Sequence, residues 1–198
     1  PKSWDERVNP QGIDRDDEVL DSIEIIDPTA HERGAIGATL SWRSIVSTDS
    51  THTDAMVADE AITLLKANNP QETGKPFFLG VGFFRPHVPY IAPQKYFDMY
   101  PRDQIELATN LDGHRHDIPI AALSDNRGEA AMSVETEKKV IQAYYATITF
   151  MDVQLGRVLD TLNELGLREN TIVVFLSDHG YSLGEHDLWQ KGNLFEKT

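Results

Sequence analysis

The stretch from Asn170 to Lys191, Asn-Thr-Ile-Val-Val-Phe-Leu-Ser-Asp-His-Gly-Tyr-Ser-Leu-Gly-Glu-His-Asp-Leu-Trp-Gln-Lys, restricts the fold more than any other part of the chain. Thr171 to Leu176 is an unbroken apolar run rich in β-branched residues. A strand without polar alternation is one buried on both faces, as in a parallel sheet, so the run predicts a central strand. It ends abruptly at Ser177-Asp178-His179-Gly180, the kind of position where open α/β sheets gather their ligands, because strand ends and loops converge there. A carboxylate beside a neutral imidazole can share a divalent cation or orient an attacking group. Asp178 can equally cap the following turn with His179 packed against it. Gly180 and Gly184 allow tight backbone turns nearby.

The rest of the chain supplies the alternation such a strand needs. Thr53 to Ala67 reads as an amphipathic helix, with Thr53 as N-cap, Asp54 at its positive end and Met56, Val57, Ile62, Leu64 and Leu65 as its apolar stripe. Asn68, Asn69 and Pro70 end it, and Pro76 to Phe83 is a second apolar run readable as a buried strand. Ser133 to Leu165 is the longest periodic segment, with Ser133 as N-cap, Glu135 and Glu137 in its first turn and Gly166 as its stop. Helix precedes strand both times, which predicts an α/β layered fold with helices on both sheet faces. Pro93 to Tyr100 reads as a short helix, and Pro101 to Met132 as a long excursion of the kind that serves binding or an insertion. Pro1 to Ser50 reads as irregular, with a short strand near Ser22 to Ile26. Its acidic cluster at Asp14, Asp16, Asp17 and Glu18 is either a solvated face or a cation site.

Three further residues could do chemistry. His87 sits between Pro86 and Pro89 in Arg85-Pro86-His87-Val88-Pro89, a stiff loop on which an imidazole could hydrogen-bond an oxyanion or protonate a leaving group. Arg85 could grip a carboxylate bidentately, although solvent exposure is the default for arginine. Lys191 could bring a compact positive charge to an anion, or be a surface lysine. Glu185 and His186 read as structural hydrogen-bonding residues.

With 32 acidic and 18 basic side chains the net charge is -14, which argues against a general nucleic-acid or anionic-membrane surface. An anionic substrate would need a local basic pocket. The chain has no cysteine, so neither a disulfide nor a thiolate zinc site is available. No apolar run reaches the length needed to span a bilayer. Opening on Pro1 and stopping within a patterned segment, the chain reads as a piece of a longer protein.

Lys75-Pro76-Phe77-Phe78-Leu79, Phe84-Arg85-Pro86-His87-Val88-Pro89, Ser177-Asp178-His179-Gly180, Leu183-Gly184-Glu185-His186 and Trp189-Gln190-Lys191, in this order, resemble the sulfatase family, most of all its iduronate-2-sulfatase branch. The Tyr144-Tyr145-Ala146, Met151-Asp152 and Gly156-Arg157 pattern is also similar to sulfatases. The resemblance implies an alkaline-phosphatase-like layered α/β fold, a mixed, mainly parallel sheet between helices, with residues 1–198 as part of one catalytic domain, 1–50 irregular and 101–132 an insertion. It implies hydrolysis of a sulfated sugar or small organic sulfate by a formylglycine nucleophile with Ca2+, in an exported protein: periplasmic, extracellular or lysosomal. Asp178 and His179 match metal ligands to be completed by upstream carboxylates, Lys191 a sulfate-contacting lysine, and His87 a histidine that contacts sulfate; Arg85 stands beside them as a substrate-binding candidate. The Cys-x-Pro-x-Arg nucleophile motif and the early Asp-Asp pair have no counterpart in the sequence, and a C-terminal subdomain is also expected elsewhere, so the piece alone would be inactive. Histidine at 179, where many sulfatases carry asparagine, leaves the metal open, because calcium prefers oxygen. A phosphodiesterase or phosphonate hydrolase of the same superfold, and a non-catalytic anion-binding module, are the rival readings. No nucleic acid, membrane or particular oligomeric state is implied.

Overall fold

The computed structural model describes residues 3–123 and 128–194. In chain order the elements are α1 Asp17–Leu20, β1 Glu24–Ile25, β2 Ser41–Ile45, α2 Thr53–Ala67, α3 Pro70–Thr73, β3 Tyr90–Pro93, α4 Gln94–Phe97, α5 Val134–Glu164, β4 Ser182–Leu183 and β5 Trp189–Gln190, joined by several single-turn 3-10 helices. The strands form a mixed three-stranded sheet and a separate hairpin. In the sheet β1 runs antiparallel to β2 (Glu24 opposite Trp42), and β2 runs parallel to β3 (Trp42 opposite Tyr90, Ile45 opposite Pro93). In the hairpin Ser182 faces Gln190 and Leu183 faces Trp189. No described helix is long and apolar enough to cross a membrane.

Helix α5 organises the packing. Ser133 is its N-cap, accepting the Thr136 N–H at 3.2 Å, and Gly166 follows its end at φ +66°, a backbone region open to glycine at little cost. Its Val140, Ile141, Ala143, Ala146 and Phe150 join Leu40, Trp42, Ala55, Tyr90, Ala92, Tyr96 and Phe97 in the main core. Further along, Val158 and Leu162 meet Ala58, Ala61 and Leu65 of α2 in a second cluster.

Helix α2 spans the residues its periodicity predicts, but its cap differs. His52 is the N-cap, and Thr53, the first helical residue, has its hydroxyl turned back: it accepts the Gly12 N–H at 3.0 Å and donates to Asp14 at 2.8 Å. A Cβ on Gly12 would stand 2.4 Å from the Thr51 carbonyl oxygen and 2.5 Å from the Thr53 nitrogen, so only glycine fits this crossing. The irregular N-terminal segment therefore reaches inside. It carries β1, close to the predicted short strand, and also β2, which polar Ser41, Arg43 and Ser44 conceal from an apolar-run criterion.

Neither long apolar run is a strand here. Pro76 to Phe83 lies alongside the second cluster with Phe77, Leu79, Val81 and Phe83 inward, while Phe78 is 84% exposed. Thr171 to Leu176 is more open still, with Ile172 92% and Leu176 75% exposed. No backbone ladder joins either run to another segment among the described residues. Apolar side chains can predict a buried strand, but a strand also needs neighbours to take its N–H and C=O groups.

Candidate functional site

The loop before β3 carries the first functional candidate. Both X-Pro bonds in it, Arg85-Pro86 and Val88-Pro89, are cis. The imidazole of His87 donates from Nδ1 to the Val88 carbonyl at 2.7 Å and lies 5.2 Å, ring to ring, from Phe84. A carbonyl can only accept, so Nδ1 bears the proton and Nε2 of the neutral ring presents its lone pair. That nitrogen faces Lys191 Nζ at 3.3 Å. Two residues 104 positions apart, both candidates for contact with one anion, thus meet at the surface.

Lys191 reaches this place because the hairpin before it is firmly seated. Tyr181 stacks on Tyr144 of α5 at 5.0 Å, and its hydroxyl meets that of Tyr90 in β3 at 2.5 Å. Trp189 is 3% exposed. Asn110 holds the turn from below, donating to the Gly184 carbonyl and to Asp187, both at 2.9 Å, and accepting the His186 N–H at 2.9 Å. Gly184 itself adopts φ +102°, and a Cβ on it would stand 3.3 Å from the Trp189 ring, so the position suits glycine. Gln190 ties the second strand to buried Glu129 at 2.6 Å. Burial pushes both Tyr90 and Tyr181 hydroxyls above their ordinary range, so the pair stays neutral.

Asp178 and His179 form a second pair, at the exposed end of the Thr171–Leu176 run. His179 donates from Nδ1 to the Gly180 carbonyl at 2.7 Å, and its Nε2 stands 3.8 Å from Asp178 Oδ1. An imidazole oriented by a backbone carbonyl is the usual form of a metal-ligating histidine. One carboxylate oxygen and one imidazole nitrogen fit a divalent cation as two of its ligands. No group of three or more His, Cys, Asp or Glu side chains suited to a metal gathers among the described residues. Nor does a hydrogen bond or ion pair there join this pair to His87 and Lys191.

Arg85 is in a different place from its expected one. It is 3% exposed, with its guanidinium taken up by protein groups. Its Nη2 pairs with Asp14 at 2.5 Å, and its Nη1 donates to the His87 and Pro89 carbonyls at 3.1 and 2.6 Å. Asp14 is correspondingly no surface acid: it also takes the Thr53 N–H at 2.7 Å. Burial alone would raise its carboxyl, but Arg85 and the Thr53 donors outweigh this and hold it below its ordinary range. Asp54, read from sequence only as a helix-dipole residue, accepts the Phe84 and Arg85 N–H groups at 2.7 and 3.0 Å. Here burial prevails and raises the carboxyl. Neither aspartate announces itself in the sequence, because each acts on residues far along the chain. Glu185 accepts the Leu183 N–H at 2.7 Å, the structural role foreseen for it.

A cavity of about 300 Å³ lies on the other side of the hairpin, lined by Asn110, Arg115, Glu129, Glu137, Asp187 and Trp189 among others. None of the predicted site residues lines it, and its carboxylates make it a poor receptacle for an anion. The exposed meeting of His87 and Lys191 is chemically the better candidate.

Comparison with known proteins covers nearly the whole chain. The family model described as Sulfatase matches residues 4–197. A sulfatase of Formosa agariphila is 38% identical over 84% of this chain and 33% of its own length. The iduronate 2-sulfatase of Homo sapiens is 33% identical over 75% of this chain and 29% of its own. Among solved structures, a phosphonate monoester hydrolase from Silicibacter pomeroyi superposes with a TM-score of 0.63 at 26% identity, covering 76% of this chain and 32% of that one. The chain thus spans about a third of the length of the relatives it matches.

Proposed function

Because the chain belongs to the sulfatase family, we propose that it forms part of the catalytic domain of a sulfuric ester hydrolase, in which His87 and Lys191 hold the sulfate group of a sulfated sugar or small organic sulfate. The 3.3 Å approach of Lys191 Nζ to His87 Nε2 carries this reading. It places a lysine ammonium, oriented by an imidazole, on a chain whose formal charge is -14. Lys191, as a point charge, neutralises the oxygens as the ester bond breaks and charge accumulates on them. His87 contributes a hydrogen bond from Nε2 once the ring takes up a proton, while its Nδ1–H stays on the Val88 carbonyl and fixes the ring plane.

Sulfatases generally use a metal ion, and Asp178 with His179 would hold it here; when bound, the cation neutralises sulfate oxygens as a Lewis acid. Calcium is the expected ion, with its remaining oxygen ligands drawn from the part of the fold this chain does not span. The chain has no cysteine, so a formylglycine nucleophile would also come from there. Arg85 is assigned no substrate contact in this scheme. Export to a periplasmic, extracellular or lysosomal compartment accords with the family.

The test is sulfate-ester turnover by a full-length protein containing this region. Lys191→Ala should lower kcat/KM on an aryl sulfate about 100-fold, the scale of removing one charge-stabilising donor, with an unchanged melting temperature. Asp178→Ala should abolish turnover. Near-normal turnover by the Asp178 variant, or a Lys191 variant that loses stability and keeps its specificity constant, would refute the assignment. The likeness to a phosphonate monoester hydrolase supports a second reading. A phosphonate monoester assayed in parallel separates the two: preference for it over the sulfate ester selects the phosphonate hydrolase.

A further inference from the structure

The buried Asp14–Arg85–Asp54 arrangement has a shape that stability alone does not require. Two aspartates from different parts of the chain converge on one dipeptide, Phe84-Arg85, immediately before the His87 loop. Asp54, at the start of α2, grips its backbone by both N–H groups. Asp14, locked in turn by Thr53, grips the guanidinium. The guanidinium then spreads its other nitrogen over the carbonyls of His87 and Pro89, so the loop is fixed on both sides of the imidazole. Arg15 and Arg85 flank the Phe84 ring at 4.2 and 5.0 Å, and that ring backs the imidazole. The His87 N–H also bonds the Phe84 carbonyl at 3.1 Å, so the backbone that carries the imidazole is tied into this arrangement as well.

We propose that Arg85, Asp14 and Asp54 are positioning residues that set the orientation of the His87 ring toward Lys191. None of the three touches substrate. The inference rests on the assignment of His87 to the sulfate site, but the ring orientation can be measured without it. A lysine at position 85 keeps the positive charge beside Asp14 and loses the planar fork that spans two acceptors in different directions. Asp54→Asn keeps the shape and weakens the grip on two N–H donors.

The experiment records the imidazole resonances of histidine-labelled protein by NMR, with His87 assigned through His87→Gln. Lys191→Gln provides the reference displacement for loss of the 3.3 Å neighbour. The proposal expects Arg85→Lys and Asp54→Asn each to displace the His87 resonances while those of His31 and His116 stay in place. In the full-length enzyme the same two variants should lower kcat/KM on an aryl sulfate by about 10- to 100-fold, the scale of a small misplacement of a reacting group. If both variants lose thermal stability but leave the His87 resonances and kcat/KM unchanged, the arrangement is structural and the proposal is overturned. If the resonances move as expected while His87→Gln leaves sulfate-ester turnover intact, the positioning role stands and the sulfatase assignment of His87 falls. Should Arg85→Lys fail to fold, Asp54→Asn decides alone.

Discussion

Replacing Arg85 by methionine would leave Asp14 in a site where both partners' side chains are 1% exposed. Exposed ion pairs contribute about 0–1 kcal/mol, but removing one member of a buried pair strands a charge and typically costs about 3–5 kcal/mol. Here the stranded carboxylate keeps both Thr53 donors, at 2.7 and 2.8 Å, which moves the expectation to the lower end, about 3 kcal/mol. With an m-value near 2 kcal/mol/M, the urea midpoint would fall by about 1.5 M at pH 7. The pH dependence gives the sign. In the parent protein the folded Asp14 pKa lies below its ordinary value of 3.8, so its stabilising contribution is complete above that pH and disappears as pH falls through the folded value. Without Arg85 burial is opposed by the Thr53 donors and, more weakly, by His52, the folded pKa rises, and the difference between variant and parent narrows as the solution is acidified toward pH 4. Urea unfolding followed by circular dichroism at pH 7, 5 and 4 measures this. The double variant Asp14→Leu/Arg85→Met should recover most of the loss, because a buried pair replaced by apolar groups is often tolerated. A single-variant loss below about 1 kcal/mol, or a loss independent of pH, would refute the account of Asp14 and Arg85 as a buried, coupled pair.

The core and the exposed run yield two further expectations. Phe150 is fully buried and packs against His52 and Tyr96 at ring separations of 5.4 and 5.5 Å, so Phe150→Ala should cost about 3–5 kcal/mol in the same urea assay. Ile172→Ser/Val174→Ser should stay within about 0.5 kcal/mol in this chain, since the two side chains are 92% and 72% exposed; losses of several kcal/mol, of the order of large-to-small core substitutions, would mean that the run is buried after all.

What could be read from the sequence follows how local each signal is. Helix α5 combines a serine cap, a long apolar period and a glycine stop, all within one segment, and it forms over almost the predicted residues. Helix α2 does the same, but its cap shifts to His52 because Thr53 is recruited by Gly12 and Asp14, 41 and 39 positions away. The strand prediction for Thr171 to Leu176 used composition, which reports the preference of side chains for burial and is silent on whether a hydrogen-bonding neighbour stands alongside. Conversely β2 forms with little apolar pattern, because β1 and β3 pair with it on its two edges. At the candidate site the His87–Lys191 meeting was legible through family motifs, whereas Arg85 defied the default for its residue type. Its burial depends on Asp14, which lies in a run of acidic neighbours indistinguishable by composition from a solvated surface. Of the tyrosines that seat the hairpin, Tyr144 lies in the Tyr-Tyr-Ala pattern of α5, but its meeting with Tyr90 and Tyr181 was invisible, because three aromatic residues from three segments carry no common motif.

The hydroxyl contact between Tyr90 and Tyr181 ties together two points 91 residues apart, one just after His87 and the other ten residues before Lys191. The described residues between them, including those of the excursion from Pro101 to Met132, belong to a closed ring rather than to a free end. The excursion's Asn110 and Glu129 themselves fasten the hairpin, so a change of length between these two anchors leaves the approach of Lys191 to His87 in place.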